Sequence, residues 1–254
     1  MDDKQILEVR NISKNFIIER GLFKSTAGFI PALVDISFRM NEFDSLGIAG
    51  ESGSGKTTLA KIILGLVPAT VGAVAFNSAK IIDPRKDVQI IFQNPYNSLN
   101  PKMRVVDMLI EPLWIHRIVP KKLFRQQALE LLQMVGLDAG ALTRYPREFS
   151  GGQRQRLCIA RALASFPRFL VLDEPISSLD LTIQTEMLKL FRDLKQRFNL
   201  TYIFISHNLA VIKHIATSVM IMQNGRIVEQ GSTEDLFSHP QQAYTKLLLD
   251  SARG

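Results

Sequence analysis

The segment GESGSGKT at residues 50–57 constrains the fold of this chain more than any other feature. It matches the pattern G-x-x-x-x-G-K-[ST], follows the strand-like run SLGIA and precedes the helix-like run LAKIILGLV. A flexible glycine turn can match the pattern by chance, but a strand before it and a helix after it are the context of a phosphate-binding loop. The sequence therefore predicts a phosphate-binding loop between a strand and a helix.

The residue types of this loop explain how it would bind a nucleotide. Glycines let the backbone curl with its N–H groups pointing inward, and the helix that follows adds the positive end of its dipole. The Lys56 ammonium would contact the β- and γ-phosphates, and the Thr57 hydroxyl would coordinate Mg²⁺. ATP and Mg²⁺ are therefore the expected cofactors. The loop residues predicted to bind them are Gly50, Ser52, Gly53, Gly55, Lys56, Thr57 and Thr58.

Two adjacent carboxylates, Asp173 and Glu174, end the hydrophobic run FLVL. The carboxyl end of a buried strand is where α/β proteins place ligands. Asp173 would orient Mg²⁺, and Glu174 would hold the water that attacks the γ-phosphate. Two acidic residues can also simply end a strand, but the phosphate loop in the same chain favours the catalytic interpretation.

Strand-like and helix-like patterns alternate along much of the chain, which predicts the α/β class. The pair Asn224-Gly225 between two strand-like runs predicts a two-residue hairpin, so the sheet should be mixed. Strand-like runs cover residues 6–9, 33–38, 45–49, 73–76, 88–92, 169–172, 201–205 and 218–222, and helical periodicity covers 58–66 and 179–197.

Strand signals are missing between residues 94 and 164, which predicts an inserted helical subdomain. We expect a single domain over residues 1–254, with a RecA-like catalytic core and an antiparallel β subdomain formed by 1–93 and 165–254. Residues 20–30 are rich in Gly, Ser and Lys and predict a surface loop carrying Phe23 and Phe29. An apolar stripe at helical spacing indicates core packing in the insertion and consists of Phe124, Ala128, Leu131, Leu132 and Val135.

Composition limits the classes of function. The formal net charge is +7, but the Lys and Arg residues are scattered, so nucleic acid is not an expected partner. No apolar run approaches the ~18 residues of a membrane span, and the N-terminal residues lack a secretory signal, so a cytosolic chain is expected. The single cysteine, Cys158, excludes an intrachain disulfide and is expected to be a packed thiol.

Six motifs occur in a fixed order: GESGSGKT, IIFQ, FSGGQRQR, FLVLDEP, SSLD and FISH. In this order and at this spacing they resemble the nucleotide-binding subunit of an ATP-binding cassette (ABC) transporter over essentially the whole chain. The segments NPYNSLNP, RYPREFSGGQRQR and HPQQAYTKLL are similar to the oligopeptide, dipeptide and nickel import branch. A P-loop kinase or GTPase has no use for SGGQ, and soluble cassette proteins that act on ribosomes or DNA usually carry two cassettes or a coiled-coil insertion.

The resemblance implies roles for three further residues. Phe16 matches the aromatic residue that stacks on adenine, although an ordinary strand-edge phenylalanine is the alternative. Gln93, in IIFQ, would contact the metal or the water and report the nucleotide state to the membrane partner. His207, in FISH, would contact the γ-phosphate. Without the family, a glutamine or histidine after a strand is usually a surface or structural residue.

The resemblance also implies that the site is shared between two subunits. Ser150, Gly151, Gly152 and Gln153 would close over the γ-phosphate bound to the opposite subunit, and Asp180 would lie at the seam between the subunits. The expected partner is a second ATPase subunit, either the same chain or a sister chain.

Membrane partners follow from the same resemblance. Transmembrane permease subunits would contact the chain, and an extracytoplasmic solute-binding protein would act through them. The segment 94–101 is expected to expose Tyr96 and Leu99 as a docking surface for the permease. The chain is expected to be peripheral, at the cytoplasmic face of the inner (plasma) membrane. Its cargo is expected to be peptide, with nickel or a metallophore as the alternative.

Overall fold

A computed structural model describes residues 2–20 and 25–251 of the chain, without the side chains of residues 18–20, 25–27, 96 and 97. The chain forms two compact units, Met1–Ile81 with Thr201–Gly254 and Ile82–Leu200. The predicted boundaries of the helical subdomain, at residues 94 and 164, stay a prediction.

The elements are numbered in chain order. The strands are β1 (Gln5–Arg20), β2 (Ser25–Asn41), β3 (Ser45–Ala49), β4 (Val71–Phe76), β5 (Val88–Ile91), β6 (Phe169–Asp173), β7 (Thr201–Ile205), β8 (Ser218–Gln223) and β9 (Arg226–Ser232). The α-helices are α1 (Lys56–Ile63), α2 (Pro84–Asp87), α3 (Pro95–Ser98), α4 (Val105–Ile115), α5 (Phe124–Met134), α6 (Gly151–Leu163), α7 (Leu181–Phe198), α8 (Leu209–Ile215), α9 (Thr233–Ser238) and α10 (Ala243–Ser251). Short 3-10 turns cover Lys121–Leu123, Ala139–Thr143 and Pro146–Glu148.

The first unit contains two sheets. In one, β1 pairs antiparallel with both β2 and β4. In the other, β3 pairs parallel with both β7 and β8, while β9 pairs antiparallel with β8. Every residue of β3 and β7 is buried, as expected for parallel strands with both faces covered. The predicted α/β class with a mixed sheet and an antiparallel sheet is confirmed.

The predicted hairpin at Asn224-Gly225 is confirmed. The two residues connect β8 to β9 and have φ angles of 50° and 73°. Positive φ at both central positions matches the right-handed twist of the flanking strands, and asparagine and glycine tolerate it best.

In the second unit, β5 and β6 form a parallel pair with Ile91 opposite Leu172. The backbone between residues 94 and 164 is described throughout and contains helices and 3-10 turns without a strand. The predicted apolar stripe of α5 is buried, from Phe124 at 9% exposure to Leu131 at 0%. Cys158 is also buried, and burial raises the pKa of its thiol to about 12, which leaves it a poor nucleophile.

Two predictions from local sequence are wrong. The predicted loop at 20–30 is a strand over 25–30, because the backbone of β2 continues to pair with β1, from Asn15 opposite Pro31 to Arg20 opposite Ser25. Phe23 lies outside the described residues.

The second wrong prediction concerns Leu99. Leu99 is buried at 4% exposure and is not part of an exposed docking surface. The Ser98 carbonyl accepts a hydrogen bond from Arg161 of α6 at 2.8 Å, which draws this segment inward.

None of the helices in the described ranges is both long enough and apolar enough to cross a membrane.

Candidate functional site

The predicted phosphate loop lies between β3 and α1, as the sequence indicates. Gly50, Gly53 and Gly55 have φ angles of 148°, 82° and 102°. A Cβ at Gly50 would come within 2.1 Å of the Met222 carbonyl oxygen, and one at Gly55 within 2.6 Å of the Ala32 carbonyl oxygen. Because both the φ angle and the space exclude a side chain at these two positions, the loop requires glycine there.

The Lys56 ammonium faces the loop from the first position of α1. Its Nζ donates to the carbonyl oxygens of Gly50 and Glu51 at 2.8 and 2.7 Å and to the Ser54 hydroxyl at 3.2 Å. Lys56 is 5% exposed, so this positive charge is largely removed from water. Charge-assisted hydrogen bonds of this kind are stronger than neutral ones, and they fix the curl of the loop.

The remaining loop residues face solvent to different degrees. Ser52, Gly53 and Thr57 are exposed, and Thr58 is half-buried. Hydroxyl groups and backbone N–H groups are therefore accessible at the amino end of α1, where the helix dipole is positive.

The β8–β9 hairpin supports the loop from one side. The Gly225 N–H donates to the Ser54 carbonyl at 3.1 Å, and the Gly225 carbonyl accepts from the Val34 N–H at 2.8 Å. Gly225 thus connects the phosphate loop to β2. The position of the loop is set by tertiary contacts as well as by its own sequence.

His207 lies at the same sheet edge as the start of the phosphate loop. Ile48 of β3 pairs with Ile205 of β7 in parallel register, so Gly50 and His207 each follow a paired residue by two positions. Carboxyl ends of neighbouring parallel strands meet at one edge, where α/β proteins bind ligands. His207 is exposed and belongs to the turn that leads into α8.

Phe16 lies in the part of β1 that pairs with β2 alone. Pairing with β4 ends at Ser13, whereas Phe16 is opposite Ile30. The ring is 43% exposed, and the Lys14 Nζ lies 5.1 Å from its centroid. Ile30 precedes Ala32, whose carbonyl lies beside Gly55, by two positions, so the part of β2 that pairs with Phe16 leads directly to the residue that contacts the phosphate loop.

In the second unit, the structure brings Gln93 and Glu174 together. They follow the paired residues Ile91 and Leu172 by two positions each, at the carboxyl edge of β5 and β6. The Gln93 Nε2 donates to Glu174 Oε2 at 3.2 Å and to the Ser177 hydroxyl at 3.3 Å. Asp173, the last residue of β6, is 4% exposed. The Gln93 amide and the Glu174 carboxylate therefore meet at one edge of this strand pair, and Asp173 precedes Glu174 in the chain.

The backbone at Glu174 is unusual. Its φ angle of 48° lies in the left-handed region that residues other than glycine rarely adopt. The Ser177 hydroxyl and N–H both donate to the Glu174 carbonyl, at 3.2 and 3.4 Å, and hold this conformation. Strained backbone of this kind is concentrated at functional sites, where surrounding contacts maintain it.

The SGGQ segment forms the start of α6. The Ser150 hydroxyl accepts from the Gln153 N–H at 3.3 Å, and the Ser150 N–H donates to Gln153 Oε1 at 3.0 Å. This reciprocal pair is a capping box. Gln153 therefore caps the start of α6, and its two bonds hold the Ser150 N–H and hydroxyl oxygen at a fixed position.

The glycines of SGGQ pack against the start of α7. A Cβ at Gly151 would lie 3.9 Å from Leu179, and one at Gly152 would lie 3.0 Å from Ile183. Asp180 caps α7, with its Oδ1 accepting from the Ile183 N–H at 3.0 Å. The SGGQ and SSLD segments, which are separated in sequence, therefore form one local surface.

Two residues of the candidate site were not predicted. Ser177 contacts both Gln93 and Glu174, and its signal in the sequence is its place in SSLD. Tyr244 of α10 accepts a hydrogen bond from the Glu51 N–H at 3.2 Å. Its signal is the segment HPQQAYTKLL, which is similar to the import branch but does not itself indicate a contact with the phosphate loop.

Comparison with known proteins identifies the family. The family profile described as ABC transporter matches residues 33–177. Over 254 aligned residues the chain is 40% identical to the di/tripeptide transport ATP-binding protein DppF of Pseudomonas aeruginosa, covering 97% of this chain and 78% of that protein. It is 41% identical over 258 residues to the oligopeptide transport ATP-binding protein OppF of Bacillus subtilis, covering 98% of this chain and 82% of that protein.

The fold leads to the same family. A dimeric ATP-binding cassette in a post-hydrolysis state, bound to ADP and Pi, superposes with a TM-score of 0.76 at 25% identity, covering 90% of this chain and 99% of that one. The resemblance predicted from the six motifs is confirmed: the chain belongs to the ABC transporter family, as one of its ATP-hydrolysing, nucleotide-binding subunits.

Proposed function

We propose that this chain is the ATPase subunit of an importer that carries peptides across the membrane. One observation carries the proposal: a phosphate loop with a buried lysine occurs in a chain about 40% identical, over nearly its whole length, to ATP-binding proteins named for peptide transport. ATP binding and hydrolysis would supply the energy, and the permease partners would supply the path for the cargo.

The phosphate loop is the proposed site for the β- and γ-phosphates. Its N–H groups, the Lys56 charge and the positive end of the α1 dipole are all favourable for an anion. Lys56 would exchange one of its present contacts, with Gly50, Glu51 or Ser54, for a phosphate oxygen. Ser52, Gly53 and Thr58 would complete the set of phosphate contacts.

Mg²⁺ is the proposed metal. Gln93 and Asp173 of the second unit offer amide and carboxylate oxygens, and Thr57 of the first unit offers a hydroxyl oxygen. Mg²⁺ prefers one or two carboxylates together with phosphate oxygens and water. Asp173 is the last residue of a strand whose residues are all buried, and it is itself 4% exposed. When bound, Mg²⁺ neutralises charge on the β- and γ-phosphate oxygens.

Glu174 is the proposed residue that orients and polarises the attacking water. The Gln93 amide fixes the carboxylate from one side and links it to Ser177. His207 would contact the γ-phosphate and stabilise the charge that develops in the transition state. These assignments give each of the three catalytic candidates a separate task.

The SGGQ segment is proposed to act on a nucleotide bound by a second ATPase subunit. Ser150 lies at the start of a 13-residue helix, where its hydroxyl keeps a proton to donate, and such an end attracts an anion. Gly151 and Gly152 let the start of α6 pack closely against Leu179 and Ile183, and Asp180 lies in that same segment. ATP would join the two subunits, and hydrolysis would let them separate.

A Ser150→Arg variant should bind ATP but fail to form the ATP-dependent dimer. A bulky cation at this helix start would occupy the space proposed for the phosphate of the other subunit. Size-exclusion chromatography with ATP, on a background that hydrolyses slowly, measures the dimer, and calorimetry measures ATP affinity.

The matched control for this experiment is Ser238→Arg, which adds the same side chain at an exposed position at the end of α9. The Ser150 substitution also removes a helix cap, worth about 1 kcal/mol, so thermal unfolding is measured for both variants. A Ser150→Arg protein that dimerises like the parent would contradict the proposed role of SGGQ.

Phe16→Ala should weaken ATP binding by about 1–3 kcal/mol, or roughly 5- to 150-fold in Kd, if the ring stacks on adenine. The phosphate contacts remain, so the fold and the order of affinities for ATP and ADP should not change. Isothermal titration with ATP tests the assignment.

Ile17→Ala is the control for Phe16→Ala. Ile17 is the next residue in β1 and is 60% exposed, so the substitution removes apolar surface from the same strand. Equal affinities for the parent and Phe16→Ala proteins would make Phe16 an ordinary surface phenylalanine. Phe29, at 63% exposure, would be the next residue to test.

The proposed partners and cargo are tested in membranes. Purification of the chain from native membranes should recover permease subunits, with or without a sister ATPase, and a solute-binding protein should be needed for cargo to reach them. In reconstituted vesicles, a peptide with its binding protein should stimulate ATP hydrolysis. Stimulation by nickel or a metallophore, and not by peptide, would overturn the peptide assignment.

The docking surface for the permease is proposed to include the segment 94–101. The side chain of Tyr96 lies outside the described residues, and Leu99 is buried. Exposed positions of this segment, such as Asn100, are therefore the ones to vary when contact with the permease is tested by crosslinking.

A further inference from the structure

The C-terminal helix α10 is anchored to β9 by a carboxylate. Glu229 of β9 accepts the backbone N–H of Gln241 at 2.8 Å and that of Gln242 at 3.1 Å, one with each oxygen. Burial opposes ionisation of Glu229, but these N–H groups hold its pKa below the ordinary value. The chain just before α10 is therefore fixed by two hydrogen bonds to an ionised group.

One face of α10 is also packed inward. Thr245 and Leu249 are 0% and 4% exposed, and they lie four positions apart, on the same side of the helix. Glu229, which holds the chain before α10, belongs to the sheet that carries the phosphate loop. Ile221 of β8 pairs with Glu229 on one side and with Ala49, the last residue of β3, on the other. Helix α10 is therefore attached to the same sheet that carries the phosphate loop.

Tyr244 connects this helix directly to the phosphate loop. Its Oη accepts the Glu51 N–H at 3.2 Å, across 193 positions of sequence. Tyr244 is half-buried, which limits the freedom of the ring. Glu51 immediately follows Gly50, so the bond holds the point at which the chain leaves β3 and starts to curl.

The carbonyl side of the same segment is held by Lys56. The Gly50 and Glu51 carbonyls both accept from its Nζ, and the Glu51 carbonyl also accepts from the Ser54 N–H at 3.2 Å. An ammonium group has three donors, and three acceptors of the loop are bound here, so contact with a phosphate requires an exchange. The Tyr244 bond needs no such exchange and can hold the Glu51 peptide throughout.

We propose that Tyr244 is a positioning residue for the phosphate loop: its hydroxyl, set by the anchored helix α10, keeps the Glu51 peptide in the orientation that receives ATP. The inference rests on the proposed binding of ATP phosphates at residues 50–57. Tyr244 touches no reacting atom in this scheme. Its loss should therefore affect the binding of nucleotide and not the chemical step.

The test is Tyr244→Phe, which removes a single oxygen and keeps the ring. A lost neutral hydrogen bond should weaken the binding of ATP and ADP by about 2- to 10-fold, raise KM by a similar factor and leave kcat unchanged. Tyr145→Phe is the control, since it makes the same chemical change in the second unit, where the hydroxyl accepts from Arg104 at 3.5 Å. The control should match the parent in affinity for both nucleotides.

A second measurement needs no nucleotide. Amide hydrogen exchange in the peptide that covers residues 50–55 should be faster in Tyr244→Phe than in the parent, with exchange elsewhere in the first unit and the melting temperature unchanged. If the parent protein failed to bind ATP, the proposed function would be wrong, and the exchange measurement would still decide whether Tyr244 holds the loop.

Two outcomes would overturn the inference. The first is unchanged exchange at residues 50–55 in Tyr244→Phe. The second is faster exchange throughout the first unit with a lower melting temperature, because this would indicate a general role in stability and not a local one in the loop.

Discussion

A Glu174→Gln variant is expected to bind ATP but to hydrolyse it about 10²-fold or more slowly than the parent protein. Glutamine keeps the size of the side chain and most of its hydrogen bonds but removes the charge that orients and polarises the attacking water. The phosphate loop is untouched, so nucleotide affinity should change little. Phosphate release under saturating ATP measures the rate, and calorimetry measures the affinity.

The same variant should accumulate as an ATP-bound dimer. If ATP joins Lys56 of one subunit to Ser150 of the other, slow hydrolysis leaves the joined form in excess. Size-exclusion chromatography with ATP, in the presence of a sister ATPase if one is found, measures this form. Dimer that forms equally with ADP would mean that the γ-phosphate does not bridge the subunits.

Glu234→Gln is the matched control for Glu174→Gln. Glu234 is exposed in the first turn of α9, so the same chemical change there should leave hydrolysis at the parental rate. If Glu174→Gln also hydrolysed ATP at that rate, Glu174 would not be the residue that activates water. Gln93 and His207 would then be examined in the same assay.

Much of the fold could be predicted from the sequence, because the local pattern and the tertiary role of each segment agree. The phosphate loop is an example. The backbone angle and the lack of space both require glycine at Gly50 and Gly55, so the presence of glycine in the sequence indicates the conformation of the loop. The run FLVLD indicates a strand just as clearly, because a strand buried on both faces needs a continuous series of apolar residues.

The error at residues 25–30 shows where local pattern fails. Gly, Ser and Lys are typical of loops, but here the backbone of β2 continues to pair with β1, with a register shift between Ile18 and Glu19, and backbone hydrogen bonds do not depend on side-chain type. The exposed side chains of Phe16, Phe29 and Ile30 belong to this strand pair. Whether such an extension forms depends on the partner strand. A prediction from a short stretch of sequence around residues 25–30 does not take that strand into account.

The contacts around Glu174 and Glu51 could not be predicted for a related reason. Ser177 holds a strained backbone at Glu174 and also accepts from Gln93, which lies 84 positions earlier. Tyr244 reaches the phosphate loop from the other end of the chain. Sequence patterns identify residues that meet a ligand, whereas the residues that hold those groups in place become visible only in three dimensions.

Lys56→Ala is expected to weaken ATP binding by roughly 10- to 150-fold, because hydrogen bonds to charged groups contribute about 1.5–3 kcal/mol. The substitution removes the positive charge proposed to meet the β- and γ-phosphates. It also removes the donor that ties Gly50, Glu51 and Ser54 together, so the loop loses both a ligand contact and its internal support. Titration with ATP and ADP measures the loss.

The control for Lys56→Ala is Lys61→Ala, in the last turn of the same helix α1. It removes the same charge from the same helix, so it corrects for changes in net charge and in helix propensity. Lys61 lies more than one turn from the phosphate loop, and its replacement should leave ATP affinity unchanged.

Lys56→Ala and Glu174→Gln should affect different steps. Lys56→Ala should lose nucleotide before any hydrolysis, whereas Glu174→Gln should retain it. If both variants bound ATP as the parent does and differed only in rate, Lys56 would act in the transition state alone, and binding would have to come from the N–H groups of the loop and the base contact.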